Sequence, residues 1–177
     1  MDMTGEERIA ANRETVWAAL NDAEVLKQCI PGCESLEKLS DTEMTTKVKL
    51  KIGPVSATFN GKVMLSDIDP PNGYKIAGEG SGGVAGYAKG GALVRLVEDG
   101  PDATILKYEA KADVGGKLAQ LGGRLIDATA RKLAGEFFSN FGQVVGPPPA
   151  GEEGAAETTA EGEAKPGVLK RWFGKKS

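Results

Sequence analysis

The sequence predicts an α+β fold: a curved antiparallel sheet of about seven strands around a long C-terminal helix, with two short helices after the first strand. Three observations carry that reading. Apolar and polar residues alternate with a period of two through much of residues 44–114. Only short turns separate these strands, which makes neighbours antiparallel. From residue 117 onward the apolar period changes to three or four, that of a helix.

The elements follow in order. A strand over residues 2–9 leads to Asn12, a helix N-cap, and the helix RETVWAALND runs from Arg13 to about Asp22. Val16, Trp17 and Leu20 share its apolar face. A second short helix, AEVLKQC, stops at Pro31-Gly32, a strong breaker pair. In MTTKVKLKI, Met44, Thr46, Val48, Leu50 and Ile52 point one way, and Lys47, Lys49 and Lys51 the other. After Gly53-Pro54, the set Val55, Ala57, Phe59, Gly61, Val63 and Leu65 alternates with Ser56, Thr58, Asn60 and Lys62. PPNG at 70–73 turns into YKIAGEG, and a glycine-rich bend precedes a strand near 86–98. EDGPD turns again, and ATILKYEAKADV (103–114) is the last strand. The final helix is expected from about Lys117 to Val145, with Leu118, Leu121, Leu125, Leu133, Phe137, Phe141 and Val144 on its apolar side. Strand, two helices, a six-stranded meander and one long helix make a helix grip.

The inward positions of this sheet carry many small residues: Ala57 and Gly61, Gly78, then Ala88, Gly90 and Ala92, then Ala110 and Ala112. The facing helix is expected to hold Gly122-Gly123 in mid-span, where a glycine costs about 1 kcal/mol relative to alanine. A long curved sheet cannot close onto one helix along its whole length, so an elongated apolar pocket is expected between them. Its candidate ligand contacts are Phe59, Gly61, Tyr108 and Ala110 from the sheet. Leu121, Gly122, Leu125, Phe137 and Phe141 are the candidates from the helix. Close packing, with the glycines serving only as bulges, is the competing reading.

Chemistry is constrained by what is missing. The chain has no histidine, which removes Ser-His and Cys-His nucleophile pairs and imidazole metal ligation. Cys29 and Cys33 alone cannot complete a structural zinc site and are expected to be reduced and structural, a redox or metal role being the alternative. Of the ionisable groups, Glu7 is the doubtful inward one and Tyr108 the evident polar handle, so no catalytic residue is assigned. GEGSGGVAGYAKGG (78–91) lacks the Gly-Lys-Ser/Thr ending of a phosphate loop and opens no helix. A net charge of −3 argues against nucleic acid as a partner. The opening MDMTGEERIA is polar where an apolar signal core would begin, and the expected location is cytoplasmic.

RETVWAALNDAEVLKQCIPGCESLEKL, the meander, and LAQLGGRLIDATARKLAGEFFSNF together resemble the CoxG family of carbon monoxide dehydrogenase accessory proteins, over about residues 1–145. That family lies in the START-like, polyketide-cyclase-related superfamily. The resemblance implies a START-like helix-grip fold and a cavity for a lipophilic ligand, a quinone or another isoprenoid or lipid, with no covalent cofactor. It also implies a non-catalytic role beside a molybdenum-containing CO dehydrogenase-type hydroxylase, as membrane adaptor or quinone carrier. A START-like cyclase or hydrolase, or an assembly module without ligand, are the alternatives.

Residues 146–167 lack aromatic and large aliphatic side chains and read as a linker, with an r.m.s. span of roughly 25 Å. Residues 168–177, VLKRWFGKKS, read as a basic amphipathic tip. On a helix, Val168, Leu169, Trp172 and Phe173 occupy one arc of about 140°, with Lys170, Arg171 and Lys175 opposite and Lys176 at the end. Trp and Phe beside Lys and Arg match an interfacial anchor, with each base near an anionic leaflet contributing about 1 kcal/mol. Ordering the segment offsets much of this, so weak, reversible contact with the inner face of the cell membrane is expected. Docking into a groove on a partner protein, or an inert solubilising end, are the competing readings.

Overall fold

The computed structural model describes residues 1–146; the expected tip, and the linker beyond Gly146, lie outside the described residues. The chain runs β1 (Asp2–Ile9), α1 (Arg13–Leu20), α2 (Ala23–Cys29), β2 (Cys33–Lys38) and β3 (Glu43–Ile52). It continues through β4 (Val55–Asp69), β5 (Gly73–Ser81), β6 (Tyr87–Glu98) and β7 (Thr104–Gly115) to α3 (Gly123–Val145). Seven strands form one sheet in the order β1-β7-β6-β5-β4-β3-β2, every pairing antiparallel. This is the expected α+β helix grip.

Local chemistry explains the helix starts. The Asn12 side chain accepts from the Thr15 amide at 2.8 Å, and the Asp22 carboxylate accepts from the Glu24 amide at 2.9 Å. Asn140 on α3 donates to the Cys29 carbonyl at 3.0 Å, tying the last turns of α3 to the end of α2.

Three elements depart from the sequence reading. Alternation does not reveal β2, because CESLEK mixes charge on both faces and its register with β3 shifts between Cys33 and Ser35. Residues Gly116–Leu121 form a 3₁₀ turn rather than the start of the long helix. Gly122, at φ +89°, ends that turn, so Gly122-Gly123 stand at the beginning of α3 and not in its middle.

The interior is divided by packing. At the end where α1, α2 and the last turns of α3 meet the sheet, Ile9, Val16, Met44, Tyr74, Leu106 and Phe141 are buried in one cluster. Further along the same inward face, Val48, Leu50, Phe59, Ala112 and Val114 are only half-buried. Burial is therefore tightest around Val16 and Phe141, while Met44, Tyr74 and Leu106 of the same cluster also wall a void and the grip loosens further toward the other end.

Candidate functional site

Strand register accounts for the open space. Thr46, Gly61, Gly80 and Ala88 are successive cross-strand partners from β3 to β6, a row with almost no side-chain volume. The next row runs Val63, Gly78, Gly90, Ala112. An added Cβ at Gly80 would meet only backbone atoms, the nearest 3.7 Å away, so nothing occupies the volume above it.

α3 spans that gap. Ile126, Ala130, Leu133, Ala134 and Phe137 recur at helical spacing on its inner side, and the two alanines face the small-residue rows. The result is an apolar cavity in two chambers. The first, about 480 Å³, lies between Val48, Leu50, Phe59 and Val114 and the first half of α3. The second, about 330 Å³, lies between Val63, Ile76 and Val94 and the second half, with Leu26 of α2 closing it. Volumes of this size are those of small-molecule sites.

The sequence-derived candidates divide accordingly. Phe59 and Gly61 line the first chamber, Tyr108 the second, and Phe137 both. The other five border neither chamber. Ala110 faces inward between Ala92 and Met3, without reaching the void. Leu121 and Gly122 belong to the 3₁₀ turn and its end, before α3 begins. Leu125 packs over Gly53 in the turn between β3 and β4. Phe141 is fully buried in the dry core, stacked behind Phe137 with ring centroids 5.7 Å apart. Sequence reasoning misses Ala130 and Ala134, although their signal is present: small residues four apart on the helix face opposite the glycine rows.

Polar groups in the chambers are few. Thr46 donates to the Ser35 carbonyl at 2.9 Å, and Thr129 faces the first chamber from α3. Tyr74 donates to the Leu20 carbonyl at 3.4 Å, and burial pushes its pKa up to about 12. Among the described residues, the side chains lining the two chambers include no carboxylate, lysine or arginine. Glu7 faces inward on β1, opposite Leu106, but borders neither chamber. Both cysteines are free. Burial drives the Cys29 thiol up to about 11, while the Cys33 thiol donates to the Ser35 carbonyl at 3.3 Å. No group of three or more His, Cys, Asp or Glu among the described residues could hold a metal ion. No helix there is long and apolar enough to cross a membrane.

The outer face of the sheet is different in kind. A depression of about 730 Å³ there is lined by Lys47, Asn60, Lys62, Glu79 and Lys89. Lys62, Glu79, Lys89 and Asp113 alternate in sign across four strands, the pattern of a solvated surface.

A family model described as the CoxG subunit of carbon monoxide dehydrogenase matches residues 5–146. A conserved protein from Geobacillus kaustophilus is similar in structure, with 29% identity, a TM-score of 0.77, and coverage of 82% of this chain and 95% of that one. The Zhui aromatase/cyclase from a Streptomyces species aligns with a TM-score of 0.58 at 13% identity, over 82% of this chain and 93% of its own. A START superfamily protein from Mycobacterium smegmatis aligns with a TM-score of 0.56 at 19% identity, over 81% and 98%. At those identities the last two show the fold alone. No curated protein matches the sequence.

Proposed function

Because the chain belongs to the CoxG family of carbon monoxide dehydrogenase, we propose that it is an accessory protein that carries a lipophilic molecule, a quinone, inside its grip. The observation that carries this reading is the two-chambered apolar cavity, whose second chamber is walled in part by the buried core. Apolar walls favour a guest that gains from leaving water, at roughly 25 cal/mol per Å² buried. Acid–base chemistry needs a positioned titratable group, and among the described side chains that line the chambers only two, both tyrosines, can titrate. Tyr74 already donates to Leu20, which leaves Tyr108. Holding suits such walls better than reacting.

The partner in this reading is a CO dehydrogenase-type molybdenum hydroxylase, and the protein works at the inner face of the cell membrane as its adaptor or quinone carrier. The sequence of residues 168–177 supports the membrane half: Trp172 and Phe173 stand among Lys170, Arg171 and Lys175. Solvent extraction of the purified protein followed by mass spectrometry should recover a quinone. Recovery of no lipid, together with no quinone binding in vitro, would end the carrier reading. In vesicle sedimentation, full-length protein should pellet with anionic liposomes, and protein truncated after Pro149 should stay in the supernatant. Equal pelleting would remove the tip from the account.

A further inference from the structure

The two chambers share four lining residues: Ile30, Thr46, Ala134 and Phe137. Of these only Phe137 is large and planar. Its ring meets Phe138 edge-on, with centroids 5.1 Å apart and planes at 81°, and stacks on Phe141 at 5.7 Å and 19°. Phe141 is fully buried and fixed in the dry core, whereas Phe137 is half-buried. Phe137 is therefore held by two other rings and also borders void in both chambers.

A ring in that position has neighbours to return to and space to turn into. The two voids it borders are the space into which a change of rotamer would carry it. We propose that Phe137 is the partition of the cavity and sets the length of chain it accepts. This rests on the reading of the cavity as a lipophile site and goes further, naming the residue that selects among lipophiles. The larger chamber, with the Thr129 hydroxyl, takes the ring of a prenylated quinone. The prenyl chain extends toward the smaller chamber and enters it only past Phe137. With the partition in place, chains that end in the first chamber and chains that must displace the ring bind with different affinity. Ala134 stands beside the partition and sets the width of the passage.

The test uses the full-length protein and a series of prenylated naphthoquinones of increasing chain length. They are added as an equimolar mixture, and the bound fraction is extracted and quantified. Phe137→Ala should move the long-to-short ratio of bound quinone upward by about tenfold, the discrimination that one or two buried methylenes supply. Ala134→Leu, which narrows the same passage, should move the ratio down. The opposing signs separate this from a general loss of fold, because a loosened interior moves both variants the same way. A ratio unchanged in both variants, or moved in one direction by both, overturns the partition while leaving the carrier reading standing. Failure of the wild-type protein to bind any member of the series overturns both.

Discussion

Tyr108 on β7 stacks on Phe138 of α3, ring centroids 5.4 Å apart and planes inclined by 26°. The pair bridges sheet and helix across the interior and forms part of the second chamber's wall. It depends on a third residue. Gly5, the cross-strand partner of Tyr108 on β1, leaves room for the phenol, and a Cβ there would stand 2.5 Å from the Tyr108 hydroxyl.

Gly5→Val should therefore lower stability by about 1–3 kcal/mol, the cost of overpacking. Thermal or urea denaturation reads the loss. In a Tyr108→Ala background the same substitution should cost much less, because the clash partner is gone. Additive costs would show that the phenol does not lie over Gly5 in solution.

The two ends of the interior should respond differently to truncation. Phe141→Ala removes a fully buried ring from the dry core and should cost about 3–5 kcal/mol. Leu133→Ala trims a half-buried wall of the first chamber, which already has void beside it. Its cost should be about 1 kcal/mol, below the usual range for a Leu truncation. Similar costs for the two, measured by urea denaturation, would mean that the grip is packed along its whole length.

Alkaline conditions should destabilise the fold through two buried groups. The Cys29 thiol, ordinarily near 9.0, is pushed up to about 11, and Tyr74, ordinarily near 10.0, to about 12. Both folded-state values are raised, so the stabilisation is complete below the unfolded values. It is lost as pH rises, from about 9 to 11 for Cys29 and from about 10 to 12 for Tyr74. Urea midpoints measured from pH 7 upward should begin to drop near pH 9. In Cys29→Ala the drop should start about one unit later, where Tyr74 begins to titrate. Identical profiles for the two proteins would remove Cys29 as a source.

At the first helix, Asn12→Ala should cost about 1 kcal/mol, the worth of an N-cap. Asn12→Asp should be nearly neutral, since a carboxylate accepts from the Thr15 amide equally well. A cost for Asp as large as for Ala, read from thermal melts, would contradict the capping role.

Much of this fold is legible in the sequence because a half-wet sheet writes its two faces as alternation. Lys47, Lys49 and Lys51 set against Val48, Leu50 and Ile52 identify β3 and its orientation together. The same pattern puts Gly61, Gly78 and Ala88 on the inward face, which is where the void lies. What fails to register is equally physical. β2 is a short edge strand whose pairing shifts register, so no period survives in CESLEK. Leu118, Leu121 and Leu125 keep helical spacing although a 3₁₀ turn and the positive φ of Gly122 intervene, because three-residue and four-residue periods look alike over one or two turns. The division into chambers depends on which of Phe137, Phe138 and Phe141 turns toward the void. Spacing puts Phe137 and Phe141 about 40° apart on one helix face and leaves Phe138 off it, whereas packing brings Phe138 in against Tyr108 and buries Phe141 in the core.

The most direct measurement on the central claim fills the void and follows binding. Ala130 lines the first chamber from α3, and a tryptophan at that position would occupy space that the fold leaves open. Titration with a prenylated naphthoquinone should show saturable binding to the wild-type protein. Ala130→Trp should weaken it by about tenfold or more, equivalent to about 1.4 kcal/mol, with a melting temperature no lower than wild type. Equal quinone binding by Ala130→Trp, or a large loss of stability from overpacking, would mean that the interior does not hold the quinone.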